Sequence, residues 1–269
     1  MTEVLFDRDG DVYLPTPASG SPWHPNMLHG GAVSGLFGFG VEQQAQAWPE
    51  FRLGRLTIDL LRPVPRAPLT LGCEMRRDGG RLKVMDLTLH HDDTLVASAS
   101  AVLQKAHQVR LPAHAPVPAA APSGPEGLEE TGIQAMLDAK GLKIPRGLHS
   151  RAQLRPVTPW NESGRGTCWL RLPVTIVAQT PLTPLVQAAL LSDLSNGVAQ
   201  LNLGNATGTI NADINLSLFR YPDSDWLAIE AQTQLQPTGL GLVHATLFDT
   251  AGAFGHVTQV VQSYGEFTG

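Results

Sequence analysis

Residues 56–75 read LTIDLLRPVPRAPLTLGCEM, and residues 213–232 read DINLSLFRYPDSDWLAIEAQ. The two stretches match at one shared offset, which places Arg62 on Arg220 and Leu69 on Leu227. Each carries a strand pattern, a Pro-containing corner and a second strand pattern. The likeness extends outward in both directions. In the first half, strand-like pieces in 3–14 precede an apolar helix near 30–47. Strand patterns follow at 54–63, 68–77, 81–91 and 94–104. The second half offers strands near 151–157 and 165–173 and a helix over 183–201. Strand patterns follow at 209–221, 225–236, 240–249 and 253–263. A repeat of this length predicts two copies of one unit in one chain.

A helix that is apolar nearly all round needs cover on most sides. A curved antiparallel sheet around it meets that need. The predicted fold class is α+β: a tandem (double) hotdog, two curved antiparallel sheets each wrapping a long central helix. The predicted units are 1–106 and 151–269. Between them, 107–150 opens on HQVRLPAHAPVPAAAPSGPEG, a Pro/Ala-rich linker, and continues into LEETGIQAMLDAKG, a short helix.

The chain has 269 residues, 42% apolar and 16% charged, with net charge −5. That composition predicts a folded protein, with a homo-oligomer in keeping with so few charges. No basic stripe is present, so nucleic acid is not an expected partner. The N-terminus does not read as a signal peptide, and no apolar run is long enough to span a membrane. The expected location is the cytoplasm. Cys73 and Cys168 read as small core residues, not as a disulfide framework.

The run PWHPNMLHGGAVSGLFGFGVEQ, followed by RLTIDLLRPVPRAPLTLGCEM and the strands after it, resembles the double-hotdog acyl-CoA thioesterases of the TesB-like, type II group. TPLVQAALLSDLSNGVAQL, followed by INADINLSLFRYPDSDWLAIEAQ and its strands, does so as well. The resemblance covers nearly all of the chain except the linker. It implies an acyl-CoA substrate and no cofactor or metal. In enzymes of this type an Asp on the second-half helix, a Ser or Thr at the start of the next strand and a Gln on the last strand hold the attacking water. Carried over, these positions fall on Asp193, Asn211 and Gln259.

The residues themselves bear on each assignment. Val186, Leu190, Asp193 and Gly197 share one helical stripe, so Asp193 lies on an apolar face. Burial there is expected to raise its pKa toward that of a useful base. The competing reading makes Asp193 part of a helix stop before Asn196-Gly197. Asn211 departs from the hydroxyl expected by resemblance. Strand parity also puts it opposite the apolar face of Ile210, Ala212 and Ile214, so it reaches a site only if the start of the strand is bulged or curls over the helix; the competing reading is an exposed strand-edge Asn. Gln259 competes with Gln262 because the preceding turn leaves the register open. In HGGAVSGLF, Gly30 and Gly31 open an apolar helix whose first N–H groups are free. Gly31 is the expected donor to a thioester oxygen, Gly30 the point of close approach, and His29 a substrate contact. The same glycines also suit tight packing. The first-half helix has Gly and Phe where an Asp would be needed, which predicts one working site per chain.

Other motifs carry less. DRDGDV, residues 7–12, reads as a turn and not a calcium loop. HHDD, residues 90–93, reads as a hairpin end, and GLG, residues 239–241, as a turn. Ser192 and Ser195 are in no nucleophile elbow. The predicted function is acyl-CoA hydrolysis by general-base activation of water at Asp193. The alternatives are a non-catalytic acyl-CoA or lipid-binding hotdog protein, favoured by Asn211, and a hotdog hydratase or dehydratase. The hydratase is disfavoured because the 183–201 helix holds no His to pair with the carboxylate.

Overall fold

The computed structural model describes residues 3–139, 141, 143–204 and 208–264. Its first half contains β1 (Glu3–Val4), β2 (Phe6–Asp9), β3 (Val12–Pro15), α1 (Gly30–Ala45), β4 (Phe51–Asp59), β5 (Leu69–Asp78), β6 (Leu82–His91) and β7 (Thr94–Lys105). The connection holds β8 (Thr131–Gly132) and α2 (Ile133–Ala139). The second half contains β9 (Gln153–Pro156), β10 (Arg165–Arg171), β11 (Val174–Thr175), α3 (Pro184–Ser192) and α4 (Ser195–Val198). After these come β12 (Gly208–Asn211), β13 (Asp213–Leu218), β14 (Leu227–Leu235), β15 (Leu240–Asp249) and β16 (Gly252–Tyr264).

The alternating burial of β4, β6, β7 and β13 follows from their period-two sequences and turns one face of each strand to the core. The expected pair of sheets takes a different form. Antiparallel pairing of β4 with β13 joins the halves, and among the described residues fourteen strands form one sheet with the order β2-β3-β5-β6-β7-β4-β13-β16-β15-β14-β10-β9-β8, β12 pairing with β16. Each strand thereby covers an edge that the other half would leave open. A short parallel pair, β1 with β11, adds a second tie between the halves.

The ladder registers repeat with the sequence. Leu82 faces Gln104 in the first half, and Leu240 faces Gln262 in the second. At the junction, Thr57 faces Asn215, 158 residues away, and donates a 2.7 Å hydrogen bond to its Oδ1. Between the helices, Ser34 Oγ lies 3.1 Å from Ser192 Oγ, again 158 residues apart. That separation is also the one relating Arg62 to Arg220. A residue in contact with its own equivalent lies on a two-fold axis. The halves therefore pair as an isologous dimer does, within one chain.

The helix of the first half is as long as expected, and every residue from Gly31 to Val41 is buried. Its small residues are used against α3. A Cβ on Gly31 would stand 2.7 Å from the Leu190 carbonyl oxygen, and one on Gly38 2.7 Å from Ala189 Cβ. The second-half helix differs from the expected single span over 183–201. It ends at Ser192, and a separate turn, α4, begins at Ser195. Two side chains account for the break. Gln259 Nε2 donates to the carbonyls of Ser192 and Asp193, at 3.3 and 3.4 Å, which would otherwise end the helix unpaired. Asn196 both donates to the Thr209 carbonyl and accepts from its hydroxyl, which turns α4 toward β12.

Other expectations concern small features. The DG turn joins β2 to β3 with Gly10 at φ 59°, and GLG turns at Gly239 with φ 81°. Cys168 is buried, whereas Cys73 is exposed, because β5 shows little buried alternation after Leu69.

Candidate active site

Asp193 follows the last residue of α3 and is 8% exposed. Three elements reach it. His29, the N-cap of α1 in the other half, places Nδ1 2.9 Å from Asp193 Oδ2. Asn211, at the end of β12, donates from Nδ2 to Oδ1 at 3.0 Å. Gln259 of β16, fully buried, lies against the Asp193 backbone through the hydrogen bond that caps α3. Its Oε1 is buried and, among the described residues, has no hydrogen-bond partner. Gln262, the alternative in sequence, is exposed, whereas Gln259 is buried.

Asn211 reaches the carboxylate through a bulge. Asn211 faces Val261 and Asn215 faces Thr258, so four steps along one strand match three along the other. The extra residue reverses the side-chain faces. Thr209 is buried and Ile210 exposed, opposite to the face deduced from uniform alternation. Asp213 Oδ1 accepts from the Val260 N–H and fills the broken ladder. The first half has the same irregularity between Leu53 and Arg55.

The glycines of HGG differ from the expectation. The Gly31 N–H is not free for substrate: it points to His29 Nδ1 at 3.0 Å and also favours the ionised form of Asp193. Gly30 is half-buried, and among the described residues its N–H has no acceptor. A Cβ on Gly30 would meet the Asp193 carboxylate at 2.5 Å, and one on Gly31 would meet the Leu190 carbonyl oxygen. Close packing of α1 against α3 therefore depends on both glycines, and the donor left over is Gly30.

The electrostatics also differ from the expected raised pKa. Burial pushes Asp193 up, but the hydrogen bond and charge interaction with His29, the Asn211 amide and the Gly31 N–H outweigh it. The result lies below the usual carboxylate range, so Asp193 is ionised. The Nδ1–Oδ2 contact is a hydrogen bond in the tautomer that carries its proton on Nδ1, and in that tautomer the Gly31 N–H is left to the carboxylate. His29, expected to be a substrate contact, is bound to Asp193 through Nδ1. The absence of a His from the second-half helix therefore does not leave the carboxylate without one. The signal missed in the sequence was a pairing across the halves, which no local spacing encodes.

A surface cleft of about 680 Å³, bordered by Arg165, Glu230, His244 and His256, includes none of these residues.

Models of the acyl-CoA thioesterase N-terminal domain and C-terminal domain match residues 19–104 and 117–262. The chain belongs to the acyl-CoA thioesterase family. It is a thioester hydrolase with the double-hotdog fold. Solved structures show the same fold at low identity. Acyl-CoA thioesterase II of Mycobacterium marinum is 19% identical, with a TM-score of 0.67 over 98% of this chain and 95% of that one. A TesB protein of Mycobacterium avium subspecies paratuberculosis is 16% identical, with a TM-score of 0.64 over 97% and 96%. A hot dog fold protein from Alicyclobacillus acidocaldarius is 15% identical, with a TM-score of 0.69 over 97% and 96%. A search of curated proteins finds no match. Among the described residues, no helix of this thioesterase is long and apolar enough to cross a membrane.

Proposed function

We propose that this thioesterase hydrolyses acyl-CoA at one site per chain, with the Asp193–His29 pair as general base. The observation that carries the reading is the buried carboxylate of one half bound to the N-cap histidine of the other, next to the unpartnered Oε1 of Gln259. A buried acceptor without a partner suits a water molecule, which also supplies the nucleophile. Asn211 provides an N–H to the carboxylate where the resembled enzymes have a hydroxyl, so it orients Asp193.

In the proposed reaction the water oxygen bonds to the thioester carbon, and one water proton passes to the Asp193–His29 pair. The carbonyl oxygen gains negative charge and is met by the free Gly30 N–H at the start of α1, where the helix dipole favours an anion. The C–S bond then breaks, and the proton held by the pair passes to the sulfur. The products are a carboxylic acid and CoA thiol.

The test is a thiol-release screen across acyl-CoA chain lengths, with Asp193→Asn, His29→Gln and the double variant beside the wild type. General-base catalysis is worth roughly 10²- to 10⁴-fold, so each single variant is expected to lose at least about 100-fold in kcat. Residues acting as a unit are non-additive, so the double variant should fall little further. Unchanged turnover in Asp193→Asn would sink the assignment. Tight acyl-CoA binding by the wild type without thiol release would replace it with a binding protein.

A further inference from the structure

His149 belongs to the turn Leu148–Arg151 at the start of the second half, and the mechanism above does not use it. It is only 3% exposed. Its ring is stacked on that of His29, with centroids 5.8 Å apart and planes inclined by 21°. Its Nε2 faces the Ser150 hydroxyl at 3.3 Å, and the ring lies against the Pro145 backbone. Burial first, then the nearby His29 and Arg151, push its pKa down to about 3, so the ring is uncharged near neutral pH.

The stack rests on a fixed frame. The Leu148 N–H donates to the Gly20 carbonyl at 3.0 Å, and the His29 N–H donates to the Ser19 carbonyl at 3.0 Å. His29 and the residue before His149 are thus tied to neighbouring residues of one loop. Asp193 grips the His29 ring at one nitrogen only. A ring held at a single atom can still swing about that hydrogen bond, and a flat partner on its face removes that freedom.

We infer that His149 is a positioning residue: its ring packs on one face of His29 and holds that imidazole in the orientation that keeps Nδ1 on Asp193. This rests on the Asp193–His29 pair being the base. A misorientation on the ångström scale can lower turnover by as much as about 100-fold.

The experiment compares His149→Ala, His149→Phe and Asp193→Asn in the thiol-release assay, with thermal unfolding to verify that each variant is folded. His149→Ala is expected to lower kcat about tenfold or more while KM stays within about twofold. His149→Phe keeps a flat ring without its nitrogens and is expected to stay within about threefold of wild type. Equal losses in the Ala and Phe variants would overturn the inference, because the nitrogens and not the face would then matter. Wild-type kcat in folded His149→Ala would overturn it too. If Ala does not fold, the Phe variant alone decides by the same threefold criterion. Full turnover in Asp193→Asn would instead bring down the base assignment itself.

Discussion

Gly30 has no side chain because the Asp193 carboxylate occupies the place a Cβ would take, 2.5 Å from Oδ1. At an ordinary helix position, Gly→Ala stabilises by roughly 0.5–1 kcal/mol. Here the added methyl must displace the carboxylate from His29 and Asn211. Gly30→Ala is therefore expected to keep its helical circular dichroism and to lose about 100-fold in kcat, the cost of an ångström-scale displacement. Thiol-release kinetics on the folded variant check this, and wild-type kcat would show that Asp193 does not act from this position. The sequence marked Asp193 as unusual because an apolar stripe carried a charge. It misjudged the pKa because the compensating groups, His29 and Asn211, are remote in sequence: burial is legible from one helix, whereas its offset by hydrogen bonds is not.

At the level of elements, strand patterns and hairpins were legible because alternation repeats over many residues. The bulge after Asn211 was not, since one extra residue shows only against the partner strand. The break of α3 depends likewise on Gln259, far along the chain. The shared arginine also takes different roles: Arg62 is exposed, whereas Arg220 holds the corner between β13 and β14. Its Nη1 and Nη2 donate to the two carboxylate oxygens of Asp249, at 2.5 and 2.6 Å. The N–H groups of Asp223 and Ala251 also donate to that carboxylate, so the corner is fastened to the β15–β16 hairpin. Burial pushes Asp249 up, but Arg220 and the two N–H groups bring it below the ordinary carboxylate value. A depressed folded-state pKa gives stability that is present above the unfolded value, about 3.9, and lost as pH falls through the folded one. Asp249→Asn should thus destabilise by roughly 1–3 kcal/mol near pH 7, below the 3–5 of a fully buried pair because Arg220 meets solvent. Urea unfolding should show that gap closing as pH drops below the ordinary carboxylate range. A gap independent of pH would mean that the charge of Asp249 contributes nothing.

The whole molecule is a pseudo-dimer, and its symmetry foretells two sites unless one has been lost. The separation of 158 residues that relates Ser34 to Ser192 relates Asp193 to Gly35, His29 to Gln187, Asn211 to Leu53 and Gln259 to Ala101. Each polar group of the site thus has a partner unable to replace it. Gln187 is engaged with the Asp225 carbonyl, and Leu53 and Ala101 are buried in the core. A Cβ on Gly35 would lie 2.4 Å from Leu190 Cδ2 and 3.0 Å from Ile176 Cδ1, so apolar side chains fill the space a second carboxylate would need. On the proposed one-site reading, the packing of α1 against α3 leaves no room for a second carboxylate. Calorimetric titration with a non-hydrolysable acyl-CoA thioether is expected to saturate at one ligand per chain. The heat should vanish or weaken in Gly30→Ala, whose methyl crowds the one retained site. Two equivalent ligands per chain would mean that the apolar half also binds acyl-CoA, and that hydrolysis distinguishes the halves where binding does not.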